Sequence, residues 1–240
     1  MTEWFEQWFG EAYLNLYRHR DDRDAAAAIS LIGQHVPLTN ATTLDLACGP
    51  GRHLERLRAA GARAVGFDLS VPLLSRARHR QAPPLAVVRG DMRLLPFRAS
   101  SFDVVVNLFT SFGYFADDGQ HARVLRCVAD VLKTGGTFVL DYFNAPNLAT
   151  TLVAHEEQQL GTQSVIIDRR ISDDRQYVLK EMHLVHDGRH FRERVRLFSP
   201  EDLTNMLQEA GLQVFDQFGD YGGARLDKDS PRVILLARRT

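Results

Sequence analysis

Thr43-Leu44-Asp45-Leu46-Ala47-Cys48-Gly49-Pro50-Gly51-Arg52 is a short apolar run that breaks into a glycine-rich turn. Leu44 and Leu46, flanked by threonines, favour a buried strand. Gly49 and Gly51 permit backbone angles and close approaches that a Cβ obstructs. From Arg52 the spacing becomes helical, with Leu54 and Leu57 on one face and Arg52, Glu55, Arg56 and Arg58 around the outside. Unpaired amides at such a helix start form a weakly positive rim, so a carboxylate or a hydroxyl-rich ligand is expected over the turn.

Outward from there, Gly61 stops the helix and Ala64-Val65-Gly66-Phe67 reads as a second buried strand ending at Asp68. A carboxylate at the carboxyl end of that strand can accept hydrogen bonds from both hydroxyls of a ribose. Ser70 caps a helix reaching about Arg80, Pro83-Pro84 ends it, and Leu85 to Val88 forms a short third strand. Dinucleotide folds also use a glycine turn, yet their G-x-G-x-x-G spacing needs a third glycine where this chain has Leu54. A nucleotide-dependent oxidoreductase is thereby weakened and stays open only as an alternative.

The segment Asp45 to Gly51 resembles motif I of the class I S-adenosylmethionine-dependent methyltransferases, an acidic residue followed by G-x-G-x-G, with Ala47 where the first glycine is commoner. Arg89-Gly90-Asp91-Met92-Arg93-Leu94-Leu95-Pro96-Phe97 is similar to the G-D-A-x-x-L-P-F segment of the same family. The resemblance runs from about residue 40 to 237. It implies an α/β fold, a Rossmann-like seven-stranded sheet with helices on both faces, and S-adenosyl-L-methionine as cofactor. It further implies in-line methyl transfer to an N- or O-nucleophile of a small molecule. Cofactor contacts are assigned by it to Ala47, Cys48, Gly49 and Gly51 in the turn, Asp68 and Leu69 beyond the second strand, Asp91 and Met92 at the adenine, and Asn107 at the end of the fourth strand. Small-molecule members often begin with a mobile helix that closes over the cofactor, which makes Tyr13 and Tyr17 candidates to cap the methionyl end. The extra methyl of Ala47 is expected to crowd that end slightly.

The aromatic stripe Trp4, Phe5, Trp8, Phe9, Tyr13 and Tyr17 predicts an amphipathic helix over residues 3 to 18, followed by a second from about Arg23 to His35. Ser101 to Asn107 reads as the fourth strand, and the aromatic loop Leu108 to Phe115 should face the reactive methyl. No N-P-P-Y or D-P-P-Y tetrad of nucleic-acid amino-methyltransferases occurs there. Asp117 to Leu132 predicts a helix closed by Gly135-Gly136, and Thr137 to Asn144 the fifth strand with its turn. Strand-like runs from Gln163 to Phe198, with a two-residue hairpin signal at Asp187-Gly188, predict an antiparallel insertion. Its face offers Arg192 or Arg194 to an acidic acceptor. Ser199, Pro200, Glu201 and Asp202 open a last helix, and Leu212 to Phe218 with Val233 to Ala237 supply the final strands. The expected organisation is a single domain over residues 1–240, with a helical lid at 1–36 and a substrate-covering insertion at about 150–198.

Composition narrows the partners. The 240 residues are 45% hydrophobic, enough for one sizeable core, and the formal charge of −1 gives no general attraction to nucleic acid or anionic membrane. The two cysteines make no disulfide framework, the N-terminus lacks a signal-peptide pattern, and no Cys/His cluster has metal spacing, so a soluble, cytoplasmic, metal-independent protein is expected. Nine histidines are scattered without a convergent motif, and none of His155, His183, His186 or His190 is identifiable as a catalytic base. A cofactor-binding protein without transferase activity remains a second alternative.

Overall fold

The computed structural model describes residues 3–17, 22–160 and 163–240; parts of the expected lid and insertion fall on residues 1–2, 18–21 and 161–162, outside the described residues. Helices α1 (Trp4–Trp8), α2 (Glu11–Leu16) and α3 (Asp22–His35) precede the sheet. There follow β1 (Thr42–Leu46), α4 (Arg52–Ala59), β2 (Arg63–Asp68), α5 (Val71–Arg78), β3 (Val87–Arg89), β4 (Phe102–Asn107), α6 (Asp118–Val131) and β5 (Leu132–Phe143). After α7 (Ala145–Thr151) come β6 (His155–Leu160), β7 (Gln163–Ile171), β8 (Tyr177–Leu184) and β9 (His190–Arg196), then α8 (Pro200–Glu209), β10 (Leu212–Phe218) and β11 (Arg232–Arg239).

The main sheet has the order β10-β11-β5-β4-β1-β2-β3. β11 runs antiparallel to both neighbours and the other pairs are parallel. Successive residues of β4 serve opposite faces, as a strand requires. Val105 joins a buried cluster with Leu125 and Leu203 from α6 and α8, whereas Val104 and Val106 join one with Ile32 and Leu54 from α3 and α4. Both faces are therefore covered, which is why the strands read as near-continuous apolar runs. The expected Rossmann-like α/β sheet is present. β6-β7-β8-β9 form a separate antiparallel sheet whose Val165, Ile167, Met182 and Leu184 pack on Trp8 and Leu16 of the N-terminal helices. No helix among the described residues is long and apolar enough to cross a membrane.

The expected boundaries shift in four places. The single N-terminal helix is two, broken at Phe9 and Gly10, where the glycine takes an extended conformation (φ −129°, ψ −156°) that ends α1 and redirects the aromatic stripe. α6 stops at Val131, and β5 begins at once with a jog in which Phe102 pairs Leu132 but Val104 pairs Thr137. Gly135, at φ 78°, sits inside that jog instead of closing a helix. The second sheet gains β6, whose polar sequence His-Glu-Glu-Gln-Gln-Leu carries no hydrophobic alternation to announce it. The hairpin at Asp187-Gly188 is longer than two residues, because β8 ends at Leu184 and β9 starts at His190.

Candidate active site

A cavity of about 690 Å³ opens at the carboxyl ends of β1, β2 and β4. That is where the strand order reverses, the place where open α/β sheets bind ligands. Ala47, Cys48, Gly49, Asp68, Leu69, Asp91 and Met92 all reach its wall.

Within the turn, the three small residues do different jobs. Gly49 (φ 53°) leaves its backbone open to the cavity, since a Cβ there would meet nothing nearer than Leu73 Cδ1 at 3.9 Å. Gly51 (φ 82°) is not on the wall: a Cβ there would lie 2.9 Å from Leu85 Cδ1 and 3.0 Å from Ala77 Cβ. Gly51, expected from sequence at the cofactor, thus lies off the wall, and its lack of a Cβ lets α4 start against α5. Ala47 holds a left-handed φ of 61° despite its Cβ. Left-handed backbone costs an L residue roughly 1–2 kcal/mol, so Ala47→Gly is expected to stabilise the protein by about 1 kcal/mol, after the greater freedom of glycine in the unfolded chain is subtracted. A urea midpoint that falls in the glycine variant would contradict this.

Asp68 ties the turns of two strands together. Its Oδ2 accepts from the Gly49 amide and its Oδ1 from the Ser70 amide, each at 2.8 Å. Burial raises its pKa, against the lowering effect of the amides of Ser70, Gly49 and Leu69. Beneath it lies Asp45, 1% exposed, with Oδ2 unpartnered among the described residues. Burial and then the charge of Asp68 raise Asp45 to about 7, opposed by the Leu54 amide and Arg52. The Cys48 thiol is pushed well up by burial and by the same two carboxylates, which makes it a poor nucleophile.

Asp91 faces the cavity but is held by its own turn: Arg93 Nε donates to both carboxylate oxygens at 3.0 Å, and the Arg93 amide to Oδ1 at 2.9 Å. Burial raises its pKa, yet the Arg93 hydrogen bonds and charge outweigh that and hold it below the ordinary range. Two other expected contacts lie off the wall. Asn107 is buried and donates from Nδ2 to Leu46 O at 3.0 Å, joining the ends of β4 and β1. Tyr17 lines a neighbouring cleft and accepts from Lys180 Nζ at 2.9 Å, whereas Tyr13 reaches both cavity and cleft.

The loop beyond β4 does border the cavity, through Phe109, Thr110, Ser111 and Tyr114. Phe109 (φ 60°) and Thr110 (φ 59°) are consecutive left-handed residues. Fully buried Asp141 holds them: its Oδ2 accepts from the Phe109 amide at 2.7 Å, and its carbonyl accepts from the Thr110 amide at 3.0 Å. Arg232 Nε donates to Asp141 Oδ1, Tyr221 Oη donates to Oδ2 at 2.6 Å, and Arg232 Nη2 reaches Thr110 Oγ1 at 3.2 Å. Sequence reasoning missed this network, whose members are brought together only by β5 lying beside β11.

His155, His183, His186 and His190 lie exposed on the second sheet or its turn, away from the cavity. The buried histidines are others. His53 is on the wall, pushed down to about 3 by burial and by Arg52, Arg232 and Arg80. His121, fully buried, accepts the Phe115 amide on Nε2 at 3.2 Å, and burial lowers it to about 4. A histidine depressed from 6.5 favours the folded state fully above 6.5 and loses that contribution as pH falls toward its folded value. Stability is therefore expected to decline between pH 6.5 and 4, by up to about 1.4 kcal/mol per pH unit for each such proton. His121→Gln, which keeps an acceptor for the Phe115 amide, should flatten the decline; an unchanged slope in denaturation across that range would refute the assignment.

With this geometry in place, comparison with known proteins is direct. Residues 43–136 match the family model described as a methyltransferase domain. A dTDP-3-amino-3,6-dideoxy-alpha-D-glucopyranose N,N-dimethyltransferase of Streptomyces fradiae is 30% identical over 200 residues, 80% of this chain and 77% of that protein. The CcbJ methyltransferase from Streptomyces caelestis shares the fold at a TM-score of 0.82 and 20% identity, covering 98% of each chain. The sugar N-methyltransferase KedS8 from Streptoalloteichus sp ATCC 53650 superposes at 0.70 with 28% identity, over 96% of this chain and 93% of its own. Motif, sheet and relatives agree: the chain belongs to the class I S-adenosylmethionine-dependent methyltransferases, with S-adenosyl-L-methionine as its methyl donor.

Proposed function

We propose that this enzyme methylates an amine carried by a small sugar-type acceptor. The carrying observation is the relatives matched over most of the chain, one an N,N-dimethyltransferase of an amino sugar and one a sugar N-methyltransferase. The cavity fits the donor. Asp68 keeps acceptor positions toward the cavity beyond its two amide bonds, for the ribose hydroxyls. In this reading the open Gly49 backbone admits the amino-acid end, and Leu69, Asp91 and Met92, which line the cavity, meet the adenine. The bound donor supplies an electrophilic methyl on a sulfonium. The chain's part is alignment and exclusion of water.

Phe5, Phe9 and Tyr13 of the N-terminal helices border the cavity, and we assign residues 1–36 the role of a lid. Hydrogen bonds fasten it to the rest of the chain, among them Ser70 Oγ to Phe9 O at 2.5 Å, Trp4 Nε1 to Tyr114 O at 3.2 Å and Lys180 Nζ to Tyr17 Oη at 2.9 Å. The second sheet then covers the acceptor, within one domain over residues 1–240. His53 is too weak a base at about 3 to take a proton near neutrality, and an amine that arrives neutral needs none. Free Cys48 and Cys127 suit the reducing cytoplasm, and a net charge of −1 favours a small acceptor over a polynucleotide.

The test is a turnover screen that follows S-adenosylhomocysteine. Production is expected with dTDP-3-amino-3,6-dideoxyglucose or a related amino sugar and not with dTDP-glucose, which carries hydroxyls only. Turnover of hydroxyl acceptors alone would replace this reading with O-methylation.

A further inference from the structure

Residues opposite one another on neighbouring strands share a face, so the inner side of the β6–β9 sheet can be followed rung by rung. Val165 with Leu184, then Ile167 with Met182 and Phe191, are apolar rungs seated beneath the N-terminal helices. The next rung on that face is Arg169, Lys180 and Glu193. Beyond it Ile171, Val178 and Val195 are apolar again. Edge strand β6 adds Gln158 and Glu156 beside Val165 and Ile167, but across β7–β9 a single charged rung interrupts the apolar face, and all three of its members line the cavity.

The fold does not require charge there. Lys180 and Glu193 are largely covered, at 15% and 20% side-chain exposure, with Nζ 3.3 Å from Oε1. Such a pair gains little over apolar residues of similar volume, because desolvation offsets the attraction. Arg169, 22% exposed, has Nη2 at 2.9 Å from Glu156 Oε2. Lys180 Nζ also donates to Tyr17 Oη at 2.9 Å and Arg169 Nη1 to Val153 O at 3.3 Å, and each group still has capacity beyond these partners, for an ammonium offers about three donors, a guanidinium about five and a carboxylate about four acceptor positions. Arg192 and Arg194, the cations expected from sequence to meet an acceptor, occupy the opposite face of β9: Arg192 is 71% exposed and Arg194 stacks on Tyr177 at 3.8 Å.

We propose that Arg169, Lys180 and Glu193 form the acceptor-recognition surface, where Glu193 accepts from an N–H or O–H of the sugar ring and Lys180 and Arg169 donate to its oxygens. This rests on the amino-sugar reading and adds the residues that select within it. Val178 and Val195 then lie against the less oxygenated part of the ring. A hydroxylated acceptor is favoured over an apolar one because only the former satisfies three charged groups on this wall.

The experiment is calorimetric titration of the protein saturated with S-adenosylhomocysteine, with dTDP-3-amino-3,6-dideoxyglucose as the probe. Wild type is expected to bind it. Glu193→Gln, and the apolar pair Lys180→Met with Glu193→Leu, should each bind it at least tenfold more weakly while their affinity for S-adenosylhomocysteine stays within twofold of wild type. The apolar pair should also unfold at or above the wild-type temperature, so that its weaker binding is not a loss of fold. Wild-type affinity in the variants, or a wild-type complex that does not bind the probe, overturns the assignment. Continued S-adenosylhomocysteine production with a different amine would then leave N-methylation standing, so the two failures are distinguishable.

Discussion

Asp141→Ala is expected to lower the unfolding free energy by about 3–5 kcal/mol, because removing one member of a buried ion pair leaves the other without its counter-charge. Asp141 is fully buried, whereas the Arg232 side chain is 18% exposed toward the cavity, so the loss should fall near the lower figure. The same substitution frees the Phe109 amide and removes what keeps Phe109 and Thr110 left-handed. Activity should therefore fall further than the folded fraction does. Asp141→Leu combined with Arg232→Met should regain most of the stability, since apolar replacement of a whole buried pair is often neutral. It should not regain activity, because nothing then holds the loop. Urea denaturation alongside S-adenosylhomocysteine production separates the two effects, and a loss below about 1 kcal/mol in the single variant would mean that the pair is better solvated than its burial indicates.

For Asp68→Ala, affinity for S-adenosylmethionine should weaken at least tenfold. Charge-assisted hydrogen bonds contribute roughly 1.5–3 kcal/mol each, and competition from water brings the net loss toward the lower figure. The structure adds a second cause, since the alanine variant also releases the Gly49 and Ser70 amides that shape the turn. S-adenosylhomocysteine should weaken equally because it carries the same ribose. Asp68→Asn should lie between, having one acceptor oxygen left. Calorimetry on protein shown by thermal melting to be folded tests this, and unchanged affinity would remove Asp68 from the cofactor site.

How much of this was legible in the sequence depended on how local the determining physics is. The strand, the glycine turn and Asp68 were readable because apolar spacing and turn chemistry act over a few residues. For Gly51 the packing reason was not readable: spacing cannot show that Ala77, on another helix, is among the atoms that forbid its Cβ. Asn107 and Tyr17 were chosen by position along the chain, yet their side chains satisfy Leu46 and Lys180. On β9 the choice of Arg192 and Arg194 missed the cavity by one residue, and in a strand one residue is the whole difference between faces. Asp141 gave no signal at all, for its partners Tyr221 and Arg232 lie 80 and 91 positions away.

That separation has a consequence in time. β5 carries Asp141, but its partner strand β11 and Arg232 come 91 residues later. At ribosomal rates of roughly 5–20 residues per second, Asp141 waits about 5–20 s for its counter-ion during synthesis. Until β11 arrives, the glycine turn and Asp68 can already be in place, since the turn follows β1 and Asp68 ends β2. The wall of the cavity built by the glycine turn and Asp68 can therefore mature early on the nascent chain, while the loop of Phe109 and Thr110, held by Asp141 and Arg232, is completed last.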